Sequence, residues 1–176
     1  DVLCKSRGSV VPMTLGTRRT LNRYSFVLVT FAPLLLLLIL LVFLPPQGKE
    51  GAQWMQFIGR FHPLAVHFPI ALVLLVPVLE LAARYERFSY LRLSSGFVLG
   101  LATMAATFAG FLGWILARSG NYSGPLVTQH MWGGFTLAAV VWLCWMLRLR
   151  MGEQKRHRSY AAALAAGVLV VSWTGY

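Results

Sequence analysis

Five long runs of apolar residues, separated by short polar or basic stretches, constrain the fold of this chain more than any other feature. Each run is about 20 residues long, the length that an α-helix needs to cross the hydrocarbon core of a bilayer. Of the 176 residues, 57% are hydrophobic and 12% are charged, whereas a soluble globular domain averages about 25% charged residues. The sequence therefore predicts an all-α integral membrane protein with five transmembrane helices.

The polar stretches set the predicted boundaries. Residues 1–24 are polar and basic and are predicted to form a mostly extended cytoplasmic tail. Residues 25–44 are predicted to be a signal-anchor helix, since no small-x-small cleavage site follows the apolar core. Residues 55–176 are predicted to form a four-helix membrane domain, with a loop over 45–61. Because the sequence stops at Tyr176 while still apolar, the natural chain is expected to continue. The predicted starts of spans two to five are Pro63, Ser94, Val127 and Ser159.

Basic residues are distributed unevenly between the two sides of the predicted bundle. The net charge is +11, and the 16 Lys and Arg residues divide into thirteen on one side (five in the tail, three in the 84–93 loop, five in the 148–158 loop) and three on the other. By the positive-inside rule the N-terminus is cytoplasmic and the C-terminus periplasmic, in a bacterial inner membrane. The basic clusters flank apolar spans, which favours contacts with anionic lipid over binding of nucleic acid.

Histidines and prolines crowd the predicted start of span two, in the stretch GRFHPLAVHFP over residues 59–69. His67 and His130 each lie roughly one turn inside their predicted helices on the same side, which places them at one membrane depth. His62 and His67 are five residues apart, about 140° around a regular helix, so they do not face one partner unless the helix is irregular. The spacing predicts His67 as the ring that faces the bundle and His62 as a structural residue.

Several interpretations of these rings stay open at this point. The rings can be structural and hydrogen-bond carbonyls that a proline leaves free. His67 and His130 can ligate the two faces of a b-type haem iron. A zinc or copper site with His62 as third ligand lacks supporting carboxylates or thiols, and a quinone or proton site would use a histidine hydrogen bond. The two-helix, equal-depth geometry fits the haem best, and Gly133 and Gly134 would clear space for it.

Other chemistry-bearing residues are few. Glu80 lies near the opposite end of span two and is predicted to pair with Arg84 at i+4, with a proton-relay role as the alternative. The two cysteines, Cys4 and Cys144, form no C-x-x-C motif, so the chain does not attach a c-type haem by itself. Motifs of hydrolases and of phosphate-binding loops are absent from the sequence. An enzyme that acts alone is therefore not predicted.

Four segments carry a family resemblance: GRFHPLAVHFPIALVL, the loop ARSGNY, QHMWGG and the closing SWTGY. The chain resembles, over residues 55–176, a family of small bacterial membrane domains of unknown function, whose members often lie upstream of planctomycete-type c-type cytochrome domains. The resemblance implies a histidine directly after Tyr176. More loosely, the spans resemble four-helix cytochrome b-like bundles that hold haem between histidines on paired helices. Together these likenesses imply membrane electron transfer.

Two functional hypotheses follow from the sequence. The first is an electron-transfer module with a b-type haem near the periplasmic face, ligated by His67 and His130, which exchanges electrons with a c-type cytochrome or a quinone. The second is a cofactor-free accessory subunit of a larger respiratory or photosynthetic membrane complex. The extra first span and a stripe of small residues on span three favour the second hypothesis, since both offer surface for helix packing. The stripe consists of Gly96, Gly100, Ala106, Ala109, Gly110 and Gly113.

Overall fold

The computed structural model describes residues 15–151 and 158–174 of the chain. Predictions for residues 1–14, for most of the basic loop with His157, and for Gly175 and Tyr176 lie outside the described residues. The described part is built from helices joined by turns, with one 3₁₀ turn at Glu86–Phe88. The α-helices are α1 (Leu15–Phe43), α2 (Gln53–Gly59), α3 (His62–Ala65), α4 (His67–Ala82), α5 (Leu91–Ser119), α6 (Pro125–Met151) and α7 (Arg158–Thr174).

The helices have the length and composition of membrane spans. Within the described ranges, four segments are long and apolar enough to cross a bilayer: Ser25–Phe43, Gln53–Ala82, Leu91–Ser119 and Pro125–Arg150. The fifth apolar segment, Arg158–Trp173, is shorter. The all-α prediction is therefore confirmed, and the predicted count of five spans corresponds to four long helical segments and one short one.

Two predicted loops contain helix. α1 begins at Leu15, inside the stretch predicted to be an extended tail, and α2 lies inside the predicted loop over 45–61. Helix α2 forms in the predicted loop because its backbone packs closely against α5. A Cβ atom built at Gly59 would lie 2.7 Å from the Cα of Leu116, so the missing side chain lets the two backbones touch.

The chain divides into two compact units, 1–32 and 33–176. In the described part of the first unit, the Thr30 hydroxyl donates to the carbonyls of Phe26 and Val27 within α1. The second unit holds the remainder of α1 and all later helices. The predicted domain boundaries at residues 24 and 55 stay predictions.

The core of the second unit lies where α4, α5, α6 and α7 meet. Each helix contributes buried apolar side chains to one cluster, among them Val73, Val76, Leu99, Val141, Cys144, Leu164 and Val171. The C-terminal part of α1 adds to this packing, since Leu37 is 1% exposed and its Cδ2 occupies the place where a Cβ of Gly110 would be. The bundle is held by apolar packing along helices that run side by side.

The small-residue stripe of α5 is covered by side chains of the same chain. The indole of Trp145 lies on Gly100, where an added Cβ would be 2.8 Å from Cζ2, and Leu37 lies on Gly110. At Gly96, by contrast, an added Cβ meets only Arg148 Cγ at 3.9 Å. At Gly100 and Gly110, the stripe therefore serves packing within this chain.

Because the indole of Trp145 covers Gly100 whereas Gly96 is open, an alanine should have opposite effects on stability at these two positions. Gly100→Ala should destabilise the protein by about 1–3 kcal/mol, because the new methyl group overpacks the partly buried indole of Trp145. Gly96→Ala, one turn away on the same helix, should be neutral or stabilising by up to about 1 kcal/mol, the gain in helix propensity. Thermal unfolding in detergent measures both. Equal midpoints for the two variants would contradict the packing described here.

A polar cluster lies at the end of the bundle opposite the histidines. The Glu80 carboxylate lies 3.6 Å from Arg148 Nε and accepts a 3.0 Å hydrogen bond from the Tyr160 hydroxyl. Arg148 also donates to the carbonyl of Arg92, whose guanidinium donates to the carbonyl of Ala83. The sequence predicts Arg84 as the partner of Glu80, but the structure gives Glu80 a partner on another helix. The cluster joins α4, α5, α6 and α7 at one point.

Candidate functional site

Proline breaks the second span into short helices, and the breaks position two of the histidines. Pro63 lies in the first turn of α3. A backbone N–H at this position has no partner within the helix, so its absence in proline costs no hydrogen bond. Pro69 lies in the first turn of α4, and its ring excludes the hydrogen bond to the carbonyl of Ala65, where α3 ends. As predicted, the helix is irregular here, and His62 and His67 line the same cavity in spite of their spacing.

The His62 ring is fixed by α5. Its Nδ1 lies 2.9 Å from the carbonyl oxygen of Ala109. The ring also rests on Gly113, where an added Cβ would be 2.8 Å from Cε1 of the histidine. Gly113 follows Ala109 by one helical turn, so its missing side chain exposes a carbonyl that a larger residue would cover. A carbonyl only accepts, so Nδ1 carries the proton and Nε2 of neutral His62 is an acceptor.

The His67 ring is fixed by its own helical segment. Its Nδ1 lies 2.6 Å from the carbonyl oxygen of Pro63, one turn earlier. The same reasoning assigns the proton to Nδ1 and leaves Nε2 as the free acceptor. The ring is exposed at the cavity wall.

The His130 ring, on the second turn of α6, pairs with His62. The two ring centroids are 5.9 Å apart and the ring planes meet at 85°. Two imidazoles that each bring a nitrogen to roughly 2 Å from one metal ion have centroids roughly 6 Å apart. The separation is compatible with two ligands on one ion, and it also lies within the range of ordinary edge-to-face packing of two rings. The sequence-predicted pairing of His67 with His130 stays a prediction, and the observed proximity favours His62 as the partner.

The three histidines line one cavity of about 600 Å³. Its walls come from α1, α3, α4, α5 and α6 and are mostly apolar or small, for example Leu41, Ile70, Ala106, Ala117, Met131 and Leu137. Gly134 also lines it, and a Cβ added there would meet nothing within 4 Å. The space at Gly134 is open, and its use by a cofactor stays a prediction. The volume and the apolar lining are those of a small-molecule or cofactor site.

Hydrogen bonds to backbone carbonyls hold the chain in place near Trp114, at one edge of the cavity. The Trp114 indole, which lines the cavity, donates to the carbonyl of Leu44 at 3.0 Å. Arg118 donates to the carbonyl of Pro45 and lies over the Trp114 ring at 5.8 Å. The Gly51 N–H donates to the carbonyl of Ser119 at 2.9 Å. These bonds tie the segment after α1 to the end of α5.

The set of side chains that could ligate a metal ion is small. Among the described residues, no group of three or more His, Cys, Asp or Glu side chains is placed to hold a metal ion. Zinc and copper sites commonly use three or four protein ligands, and the zinc or copper alternative stays a prediction. A porphyrin supplies four equatorial nitrogens and requires one or two axial ligands from the protein. A pair of histidines fits that requirement.

Sequence reasoning missed the residues that hold His62. The Ala109 carbonyl and Gly113 lie 47 and 51 positions further along the chain, and Gly113 is read from the sequence only as a packing residue. The one available signal is that Gly113 belongs to the small-residue stripe, since a glycine also marks close approach of another group.

Comparison with known proteins gives one match. Residues 60–176 match the model of a protein family described as predicted membrane proteins, DUF2231. No curated protein matches the chain, and no solved structure does.

Proposed function

The chain belongs to that family of predicted membrane proteins, and on this premise we propose that it is a membrane electron-transfer module that binds a b-type haem in the histidine cavity. The observation that carries the proposal is the pair His62 and His130, with ring centroids 5.9 Å apart at the edge of an apolar cavity of about 600 Å³. His62 and His130 are the proposed axial ligands. His67 with His130, the pair predicted from spacing, is the alternative that substitution distinguishes.

The protonation of the rings supports haem over a quinone. A quinone carbonyl needs a hydrogen-bond donor, whereas His62 and His67 each direct an acceptor Nε2 away from the backbone carbonyl that holds Nδ1. A metal ion binds directly to the lone pair of such an Nε2 atom. Metal-bound histidines almost always donate their other N–H to a carboxylate, a backbone carbonyl or a water, and such a bond fixes the orientation and tautomer of the ring.

The chain's own residues would bind and shield the cofactor. His62 is held against α5 and would bind the iron through Nε2. His130 of α6 would bind the iron from the other side, and Gly134 leaves room beside His130 for the flat ring of the haem. The apolar walls exclude water, which lowers the local dielectric and adjusts the reduction potential of a metal site. The haem supplies one-electron redox chemistry.

The charge distribution supports an orientation and a class of partner. With thirteen of the 16 Lys and Arg residues on the opposite side, the histidine cavity faces the periplasm of a bacterial inner membrane, the N-terminus is cytoplasmic and the C-terminus periplasmic. A haem at that depth lies close to the aqueous surface and to the lipid. The proposed partner is a periplasmic c-type cytochrome, or a quinone that approaches from the bilayer.

A cofactor-free accessory subunit is the alternative function. Two features favour it in the sequence, the small-residue stripe and the extra first span. The stripe is covered from within the chain by Trp145, Leu37 and His62, and α1 buries Leu37 and Leu41 in the second unit. Much of α1 stays exposed, for example Val29, Val42 and Phe43, so the preference for the haem module rests on the histidine pair.

Reduced-minus-oxidised absorption spectra of the detergent-purified chain, together with solvent extraction, test the proposal. We expect a low-spin b-type spectrum and non-covalent haem in the extract. Extracted quinone without haem would favour the quinone site. An extract with neither, from a chain that co-purifies with other membrane subunits, would favour the accessory subunit.

A further inference from the structure

The two rings of the His62–His130 pair are held unequally. His62 is half-buried, with Nδ1 2.9 Å from the Ala109 carbonyl and its ring against Gly113. A ligand whose second nitrogen is hydrogen-bonded is fixed in orientation and is made more basic. His62 therefore has the properties of a strong, permanent ligand.

His130 has no comparable support. It is exposed, and within the described ranges its ring makes no hydrogen bond, its contact being the edge-to-face approach to His62 at 5.9 Å. One turn further along α6, Gly134 leaves open space where a side chain would otherwise brace the ring. An unbraced side chain loses rotamer freedom each time it binds. His130 therefore has the properties of a weak, exchangeable ligand.

We propose that the pair is functionally asymmetric: His62 holds the haem permanently, and a neutral diatomic gas replaces His130 on the reduced iron. This inference rests on the proposed haem. In the exchange, the bond from iron to His130 Nε2 breaks and a bond from iron to the gas forms, with no change of oxidation state. The open space at Gly134 receives the displaced ring or the ligand.

The cavity lining selects the class of ligand. Its walls are apolar, and the charged residues Lys49, Arg60 and Arg118 at this end of the bundle are absent from the lining. Burial of an unpaired anion in such a site is strongly unfavourable, whereas a small neutral molecule loses little hydration. The lining therefore offers no Lys or Arg side chain that would favour an anionic ligand such as azide over a neutral diatomic molecule.

Titration of the reduced holoprotein with carbon monoxide tests the exchange. We expect a saturable change from the six-coordinate low-spin spectrum to a carbon monoxide complex, and at least a tenfold higher affinity in His130→Ala, where the competing ring is gone. A haem spectrum that saturating carbon monoxide leaves unchanged would overturn the inference while the proposed function stands. Absence of haem from the purified chain would overturn both.

A second pair of variants tests the permanent ligand. Gly113→Ala places a methyl group 2.8 Å from Cε1 of His62, which displaces the ring from the Ala109 carbonyl. We expect haem transfer to an excess of an apo-globin to be at least severalfold faster than in the parent, and unchanged in Gly96→Ala on the same helix. Equal transfer rates in the two variants would contradict the role given to His62. Thermal midpoints, measured in parallel, separate loss of ligation from loss of fold.

Discussion

Glu80→Ala is expected to destabilise the bundle by about 3–5 kcal/mol, the range for removing one partner of a buried ion pair. Its carboxylate is the anion beside Arg148 Nε at 3.6 Å, and the two side chains are only 20% and 9% exposed. Without Glu80, the Arg148 guanidinium keeps its bond to the Arg92 carbonyl but loses the carboxylate beside its Nε. The Tyr160 hydroxyl loses its acceptor as well. Thermal or denaturant unfolding in detergent gives the change in free energy.

Two controls distinguish the effect of losing the Glu80–Arg148 ion pair on stability from the effect of removing any acidic side chain. Glu86→Ala removes an exposed acid in the neighbouring 3₁₀ turn and should change stability by less than about 0.5 kcal/mol. The double variant Glu80→Met, Arg148→Met should recover much of the loss, since apolar replacement of a whole buried pair is often neutral. A Glu80→Ala variant no less stable than Glu86→Ala would show that the cluster is not a stabilising contact.

His62→Ala is expected to lower haem retention by at least tenfold, and His67→Ala by less than twofold. Even substitution of a residue that only supports a metal ligand costs about 10–100-fold in affinity, so loss of the ligand itself should cost no less. His67 lies in the same cavity and bonds its own Pro63 carbonyl, which makes it the informative comparison. Haem per chain, measured after detergent purification, gives both values.

The reverse result is equally informative. Retention in His62→Ala with loss in His67→Ala would restore the pairing of His67 with His130 that helix spacing predicts. Equal retention in all three single alanine variants at His62, His67 and His130 would remove the histidines from the site altogether.

The helices of this fold are predictable from sequence because their cause is local. Apolar runs, Pro45-Pro46 and the basic clusters mark where spans begin and end. The position of α2 is not predictable in the same way, because its seven residues pack through Gly59 against Leu116, 57 positions away. The partner of Glu80 is missed for the same reason: i+4 spacing points to Arg84, whereas the fold of the bundle places Arg148 of α6 beside Glu80 of α4.

The site is predictable in part. Charge counting and helix phase bring His62, His67 and His130 to one end of the bundle, and the structure places all three in one cavity. Which ring faces His130 depends on the Ala109 carbonyl and on Gly113, contacts between helices that helix periodicity does not encode. Regular 3.6-residue geometry favours His67, and the proline breaks overturn that geometry locally.

The electron paramagnetic resonance spectrum of the oxidised protein tests the central claim, two histidines on one haem iron, most directly. We expect a low-spin ferric signal of a six-coordinate haem with two nitrogen axial ligands, converted to a high-spin signal by His130→Ala. A high-spin signal in the unsubstituted protein, or a purified chain without any haem signal, would contradict it.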